Sequence, residues 1–195
     1  VLMSDGYEVY NGIAHSHGLI HLGCWAHARR YFVEAEAVLP KAVRRPDQLA
    51  TQFIAAIARL YAVEAKVKGK GVAERAQLRE ASSRSILAEI QHLLVTHRHS
   101  VTPGSLLGKA LHYLEAQWPK LIRYVENGAW PIDNNLCENA IRPFVVGRRN
   151  WLFADTVAGA NASANIYSLI ETCKANGVDT YRYLVALFKA LPLAT

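Results

Sequence analysis

The chain has 195 residues, 51% of them hydrophobic and 19% charged, which excludes a disordered polymer and allows a sizeable core. No apolar run approaches the ~20 residues of a membrane span, and the opening V-L-M-S-D-G-Y lacks the features of a signal peptide, so a cytoplasmic protein is expected. Lys and Arg number 22 against 16 Asp and Glu, a net charge of +6 that favours a polyanionic partner.

Residues 1–3 form a short apolar run leading into Asp5-Gly6-Tyr7, as if a strand ended at its acid. Residues 19–25 alternate loosely and read as a second short strand. Two short strands make a marginal sheet, so either further strands precede them or helices or a second copy of the chain cover the edge. Helices dominate from residue 26. The first, 26–39, ends before Pro40, and 41–47 is a basic connector with Asp47 a cap for the next helix. Residues 48–66 place Leu49, Phe53, Ala56, Ile57, Leu60 and Tyr61 on one stripe, and 73–96 repeat the pattern with Ile86, Leu87, Ile90, Leu93 and Leu94. The K-G-K-G turn between them predicts an antiparallel hairpin.

Pro103-Gly104 breaks the chain again. Residues 105–117 carry Leu107, Leu111 and Leu114 on a stripe that Trp118, Leu121, Ile122 and Val125 continue, with Pro119 predicting a kink or a new helix start. Gly128 is a helix stop. Beyond the motif described next, a short strand is expected at 150–153. A helix follows at 160–176 with Ala162, Ile166, Leu169, Ile170 and Cys173 inward, then a last one at 181–191 capped by Asp179 or Thr180. Three spread cysteines, Cys24, Cys137 and Cys173, read as reduced thiols.

The densest stretch is 130–153, W-P-I-D-N-N-L-C-E-N-A-I-R-P-F-V-V-G-R-R-N-W-L-F. Asp133, Asn134 and Asn135 are N-cap types before an apolar set at helical spacing. Glu138 and Arg142, four apart, share a face, and Pro143 is expected to disturb or end the helix. After Glu138 comes an acid-free run with Arg142, Arg148 and Arg149. Spacing leaves two readings open: a surface ion pair on a solvated basic face, or a carboxylate for a metal beside arginines for a phosphate backbone.

This stretch closely resembles the C-terminal catalytic motif of the IS66-type bacterial insertion-sequence transposases. S-D-G-Y-E-V-Y-N at 4–11 and G-C-W-A-H-A-R-R-Y-F at 23–32 match the same family in order. That family is similar to the DDE transposases, so the resemblance implies a predominantly helical α/β chain: part of an RNase H-like catalytic domain that lacks its first strands and carries a helical insertion. The implied segments are a strand region at 1–35, an insertion at 36–128, and the motif with closing helices at 129–195. Two aspartates and a glutamate would hold Mg²⁺ or Mn²⁺, with Asp5 matching the second acid, Glu138 the third, and the first expected upstream of Val1.

By the same resemblance the partner is DNA, at element ends and target, in a bacterial, nucleoid-associated homo-oligomer. Arg29, Arg30, Arg142, Arg148 and Arg149 are candidates for the phosphate backbone, since guanidinium bridges phosphate oxygens without reading sequence. Asp133 and Asn134 read as caps or supports of the acids rather than metal ligands. Cys24 and His27 form half of a zinc pattern without a second pair, so packing near the active site is expected of His27. No phosphate loop or nucleophile elbow is present. The reading is a transposase segment for metal-dependent phosphodiester cleavage and strand transfer, expected to be silent alone because the first acid is missing. The alternative is a non-catalytic DNA-binding or self-associating helical module, the remnant of an element.

Overall fold

The computed structural model describes residues 1–151 and 154–193, and the chain divides into two units, Val1–Asn135 and Leu136–Thr195.

The first unit opens with β1 (Leu2–Ser4), which pairs in parallel with β2 (His21–Gly23) in the register Leu2 to His21, Met3 to Leu22 and Ser4 to Gly23. Parallel strands need a crossover, supplied here by α1 (Val9–Ser16). The sequence reading placed no helix there, because Val9, Tyr10 and Ile13 are exposed and only Ala14 is buried, leaving no apolar stripe to detect. All three residues of β2 are buried. A helix covers this strand so closely that a Cβ on Gly23 would sit 3.0 Å from Leu121 Cγ.

Next come α2 (Trp25–Ala37), a 3₁₀ turn (Lys41–Val43) and α3 (Leu49–Val67), near the expected bounds. Helix α4 (Val72–Leu78) and α5 (Arg84–His97) were read as one; a π turn, Arg79–Ser83, joins them. Ion pairs Glu64–Arg79 and Arg59–Glu89 run in opposite sequence directions, as in an antiparallel hairpin. Helix α6 (Leu106–Leu121) passes through Pro119 without a new start and tightens into a 3₁₀ segment, Ile122–Glu126.

One core serves the whole unit. Phe32 of α2 stacks on Phe53 of α3 at 4.4 Å between centroids, and Trp25 meets Trp118 edge-on at 6.1 Å. Ile57, Leu60, Ile90, Leu114, Leu121 and Tyr124 are fully buried around them. The helices expected as an insertion therefore share their core with the strand region. Gly128, read as a helix stop, owes its identity to close approach instead: a Cβ there would lie 2.0 Å from the Val72 carbonyl oxygen.

The second unit comprises α7 (Asn135–Trp151), which starts at the boundary, α8 (Val157–Ala175) and α9 (Thr180–Ala190), closed by a 3₁₀ turn, Leu191–Leu193. Helix α7 continues through Pro143, so of the two expected outcomes, a disturbed or an ended helix, the second does not occur. The missing N–H costs one ladder bond without ending the helix, as happens where packing compensates, and Phe144 packs edge-on against Tyr167 at 5.3 Å. The expected strand at 150–153 is corrected at its start, since Asn150 and Trp151 close α7; residues 152 and 153 lie outside the described residues. Thr156 caps α8 and Asp179 caps α9, each accepting a backbone N–H three residues on. Gly177, at φ 67°, ends α8 as its sequence implies. The α8 stripe is only partly inward: Cys173 is buried, Leu169 and Ile170 are half-buried, and Ala162 and Ile166 are exposed.

Candidate active site

Asp5 leaves the carboxyl end of β1 in a turn fixed from several sides. Its Oδ1 accepts the Tyr7 backbone N–H at 3.0 Å, and its carbonyl oxygen accepts the Tyr113 hydroxyl at 2.6 Å. Gly6 follows at φ 98°, a left-handed conformation that suits glycine, with Gln117 and Tyr113 atoms 3.1–3.2 Å from where a Cβ would be. From beneath, Ser4 Oγ accepts the Gly6 N–H at 3.4 Å and bonds His21 Nε2 at 2.7 Å across the two strands. Burial, then the charge of Lys120, lowers the His21 pKa, so the ring stays neutral. The Asp5 side chain itself is exposed.

A second set of contacts gathers where β2 passes into α2. Cys24 is fully buried, and its thiol donates to Asn134 Oδ1 at 3.0 Å. The Trp25 N–H donates to the Ile132 carbonyl at 3.2 Å, and its indole N–H to the Leu121 carbonyl at 2.9 Å. The Tyr61 hydroxyl donates to Asp133 Oδ2 at 2.8 Å, while Asp133 Oδ1 accepts the Asn135 N–H at 3.1 Å. Both Asp133 oxygens are thus engaged, in an Asx turn that opens α7. Burial and the Asp133 bond push the Tyr61 hydroxyl pKa far up, and burial raises that of the Cys24 thiol.

Arg29 and Arg30 are exposed on α2. The Arg29 charge acts on Tyr61, beside Asp133; the Arg30 charge acts on Tyr113, beside Asp5. His27 is half-buried on the first turn of the same helix. Asp5 and Arg30 thus both act electrostatically on Tyr113, and Asp133 and Arg29 on Tyr61. Glu138, Arg142, Arg148 and Arg149 belong to the second unit, on α7. Glu138 is half-buried in the first turn, and the three arginines are exposed, the last two in the final turn where cations complement the helix dipole.

Tyr31, Tyr61, Tyr113 and the Ser4–His21 pair were not singled out as site residues from sequence. Tyr61 read as part of an apolar stripe; its amphipathic character was the one available signal. The carboxylate of Asp5 suits a hard divalent cation. Among the described residues, however, no group of three or more His, Cys, Asp and Glu side chains could hold an ion. These residues alone do not complete a metal cage.

Residues 1–162 match the transposase IS66 family, and residues 168–195 match the IS66 C-terminal element. The chain belongs to the IS66 transposase family. Relatives of this IS66 chain include two proteins of Sinorhizobium fredii. Uncharacterized protein y4qI is 35% identical over 191 residues, covering 94% of this chain and 34% of the relative. Uncharacterized protein y4jD is 27% identical over 197 residues, covering 98% and 37%. The IS66 chain therefore spans about a third of the length of the curated relatives it matches. No solved structure matches it.

Proposed function

We propose that this chain is a catalytic segment of a DNA transposase, which cuts and joins phosphodiester bonds at insertion-sequence ends. The observation that carries the reading is Asp5: an exposed carboxylate at the carboxyl edge of a parallel strand pair, in a braced turn with Arg30 nearby. Ligands of open α/β sheets bind outside that edge. Family membership and the net charge of +6 support DNA as the partner.

Asp5 and Glu138 would be the acids of a DDE set on an RNase H-like domain, holding Mg²⁺ or Mn²⁺. Such ions would neutralise charge at the attacking and leaving oxygens. The protein's own part is positional. The turn fixes Asp5, Asp133 and Asn134 tie the start of the motif to Tyr61 and Cys24, and residues 36–128 serve as the insertion. Arg29, Arg30, Arg142, Arg148 and Arg149 grip the DNA backbone, with His27 beside the acids.

The test is metal-dependent nicking of element-end DNA by the full-length protein. Asp5→Asn and Glu138→Gln are expected to lose on the order of 100- to 1,000-fold, because the lost charge stabilisation is worth several kcal/mol. Asp133→Asn is expected to stay within about tenfold of wild type, since the amide oxygen still accepts the Asn135 N–H and the amide NH₂ can donate to the Tyr61 oxygen in a reversed bond. Equal loss from all three, or full activity in Asp5→Asn, overturns the assignment.

A second reading, a non-catalytic DNA-binding or self-associating helical module, is favoured by one observation: Leu136, Val157, Tyr181 and Phe188 are exposed on the second unit. Nicking by the wild-type protein rejects it.

A further inference from the structure

Beside Asp5 lies a groove of about 830 Å³ that begins at Gly6, the next residue in the chain. That is ample for a ligand larger than a single side chain, by the ~300–1,000 Å³ of ordinary binding pockets. Tyr31 and Tyr113 line it as a stacked pair, 4.5 Å between centroids and 27° between planes, and Tyr31 is 37% exposed. Tyr113 is also the residue whose hydroxyl holds the Asp5 carbonyl. The aromatic surface and the candidate acid therefore share one side chain.

The charges in the groove are of two kinds. Arg98 is already paired with Glu115. Among the described residues Lys120 pairs with no acid: its half-buried ammonium donates to Asn11 Oδ1 at 2.8 Å and to Gln117 Oε1 at 3.0 Å, both neutral amides. Taking an ammonium partly out of water without a counter-ion is costly, and an anion at the same place offsets that cost. Lys109 adds an exposed cation. With Glu8 also on the lining, the cations Arg98, Lys109 and Lys120 still outnumber the two carboxylates.

We propose that this groove seats single-stranded DNA next to the phosphodiester cut at Asp5, with a base against the Tyr31–Tyr113 pair and a phosphate at Lys120. The proposal rests on the transposase reading and deepens it. Stacking needs an open base face, which a strand has once it leaves the duplex and which paired, stacked bases lack. Every base has such a face, so the groove holds a strand without reading its sequence. The partner class is thus single-stranded deoxyribonucleotide flanking the cut, rather than duplex.

The test is fluorescence anisotropy of the complete chain with labelled single-stranded, duplex and RNA oligonucleotides of one sequence across a salt series. Tyr31→Ala is expected to weaken single-strand binding by about 5- to 150-fold, the worth of one stacked base, while Tyr31→Phe retains it. Lys120→Gln and the exposed Lys109→Gln are each expected to lower the single-strand salt slope by about one. Duplex affinity is expected to move less than about twofold in the tyrosine variants, because paired bases offer that ring nothing to stack. The groove proposal falls, and the transposase reading stands, if wild type binds DNA while Tyr31→Ala and both lysine variants bind single strands unchanged. It also falls if duplex binding drops as far as single-strand binding, or if RNA binds more tightly than DNA. Wild type binding no DNA in either form also overturns the groove proposal, while the transposase reading stands or falls on nicking by the full-length protein.

Discussion

At the scale of single residues, Asp5 is held by groups that do no chemistry themselves. Ser4, Gly6, Tyr7 and Tyr113 each constrain one atom of its turn, and His21 anchors Ser4 from the neighbouring strand. His21 makes this bracing sensitive to pH. Its pKa in the fold lies below the ordinary value of 6.5, because burial disfavours the imidazolium and Lys120 repels it. As pH falls, the unfolded chain takes up this proton before the folded one does. The contribution of His21 to stability is therefore complete above pH 6.5 and lost as pH falls below that value through the folded pKa. The melting temperature of wild type is expected to drop between pH 7.5 and 5.5, a range of ~2 pH units around the imidazole titration, and His21→Gln to shrink that drop. An identical pH dependence in the variant would show that His21 does not titrate in this way.

At the scale of elements, the π turn between α4 and α5 is where local pattern and tertiary demand part. The extra residue in that turn sets Arg79 inward, fully buried. Its guanidinium donates to both Glu64 carboxylate oxygens at 2.8 and 2.6 Å and to the Tyr124 and Asn127 carbonyls at 2.9 Å each, and it lies 5.1 Å from the centre of the Tyr124 ring. The helical hairpin is thereby fastened to the segment leading into the motif. Arg79→Ala strands a largely buried Glu64 and two carbonyls. The expected loss is about 3–5 kcal/mol of unfolding free energy, read by urea denaturation. A loss below about 1 kcal/mol, the worth of a surface pair, would place Arg79 outside the structural core.

The helices themselves were largely legible, because the stripes of α3, α5 and α6 repeat at helical spacing, Pro40 marks the end of α2 and the caps of α9 are strong types. Arg79 was not, since it reads as one basic residue among many until four acceptors 15 to 48 positions away converge on it. Pro119 and Pro143 each lie inside a continuous helix, so no helix starts or ends at either. Proline removes one backbone donor, and packing along α6 and α7 outweighs that local loss. Helix α1 escaped notice for the opposite reason, as its exposed apolar residues make no stripe.

On the scale of the whole molecule, the candidate residues fall on two units. Asp5, His27, Arg29, Arg30, Asp133 and Asn134 lie in the first; Glu138, Arg142, Arg148 and Arg149 lie in the second. The motif that carries the family resemblance spans the junction, so it was legible as a string. Its supporting contacts were not, because Cys24 to Asn134 and Tyr61 to Asp133 join residues 110 and 72 positions apart. No local spacing encodes such pairs. The second unit also exposes Leu136, Val146, Tyr181 and Phe188, apolar area that its three helices do not cover among the described residues. No described helix is long and apolar enough to cross a membrane.

If Asp5 and Glu138 serve one reaction centre, as proposed, crystals of the chain grown with Mn²⁺ are expected to show by anomalous scattering an ion bound by both carboxylates at about 2.0–2.6 Å, the span of bonds from carboxylate oxygen to divalent cations. An Mn²⁺ site that includes neither acid, or Asp5 and Glu138 on separate ions far apart, would contradict it.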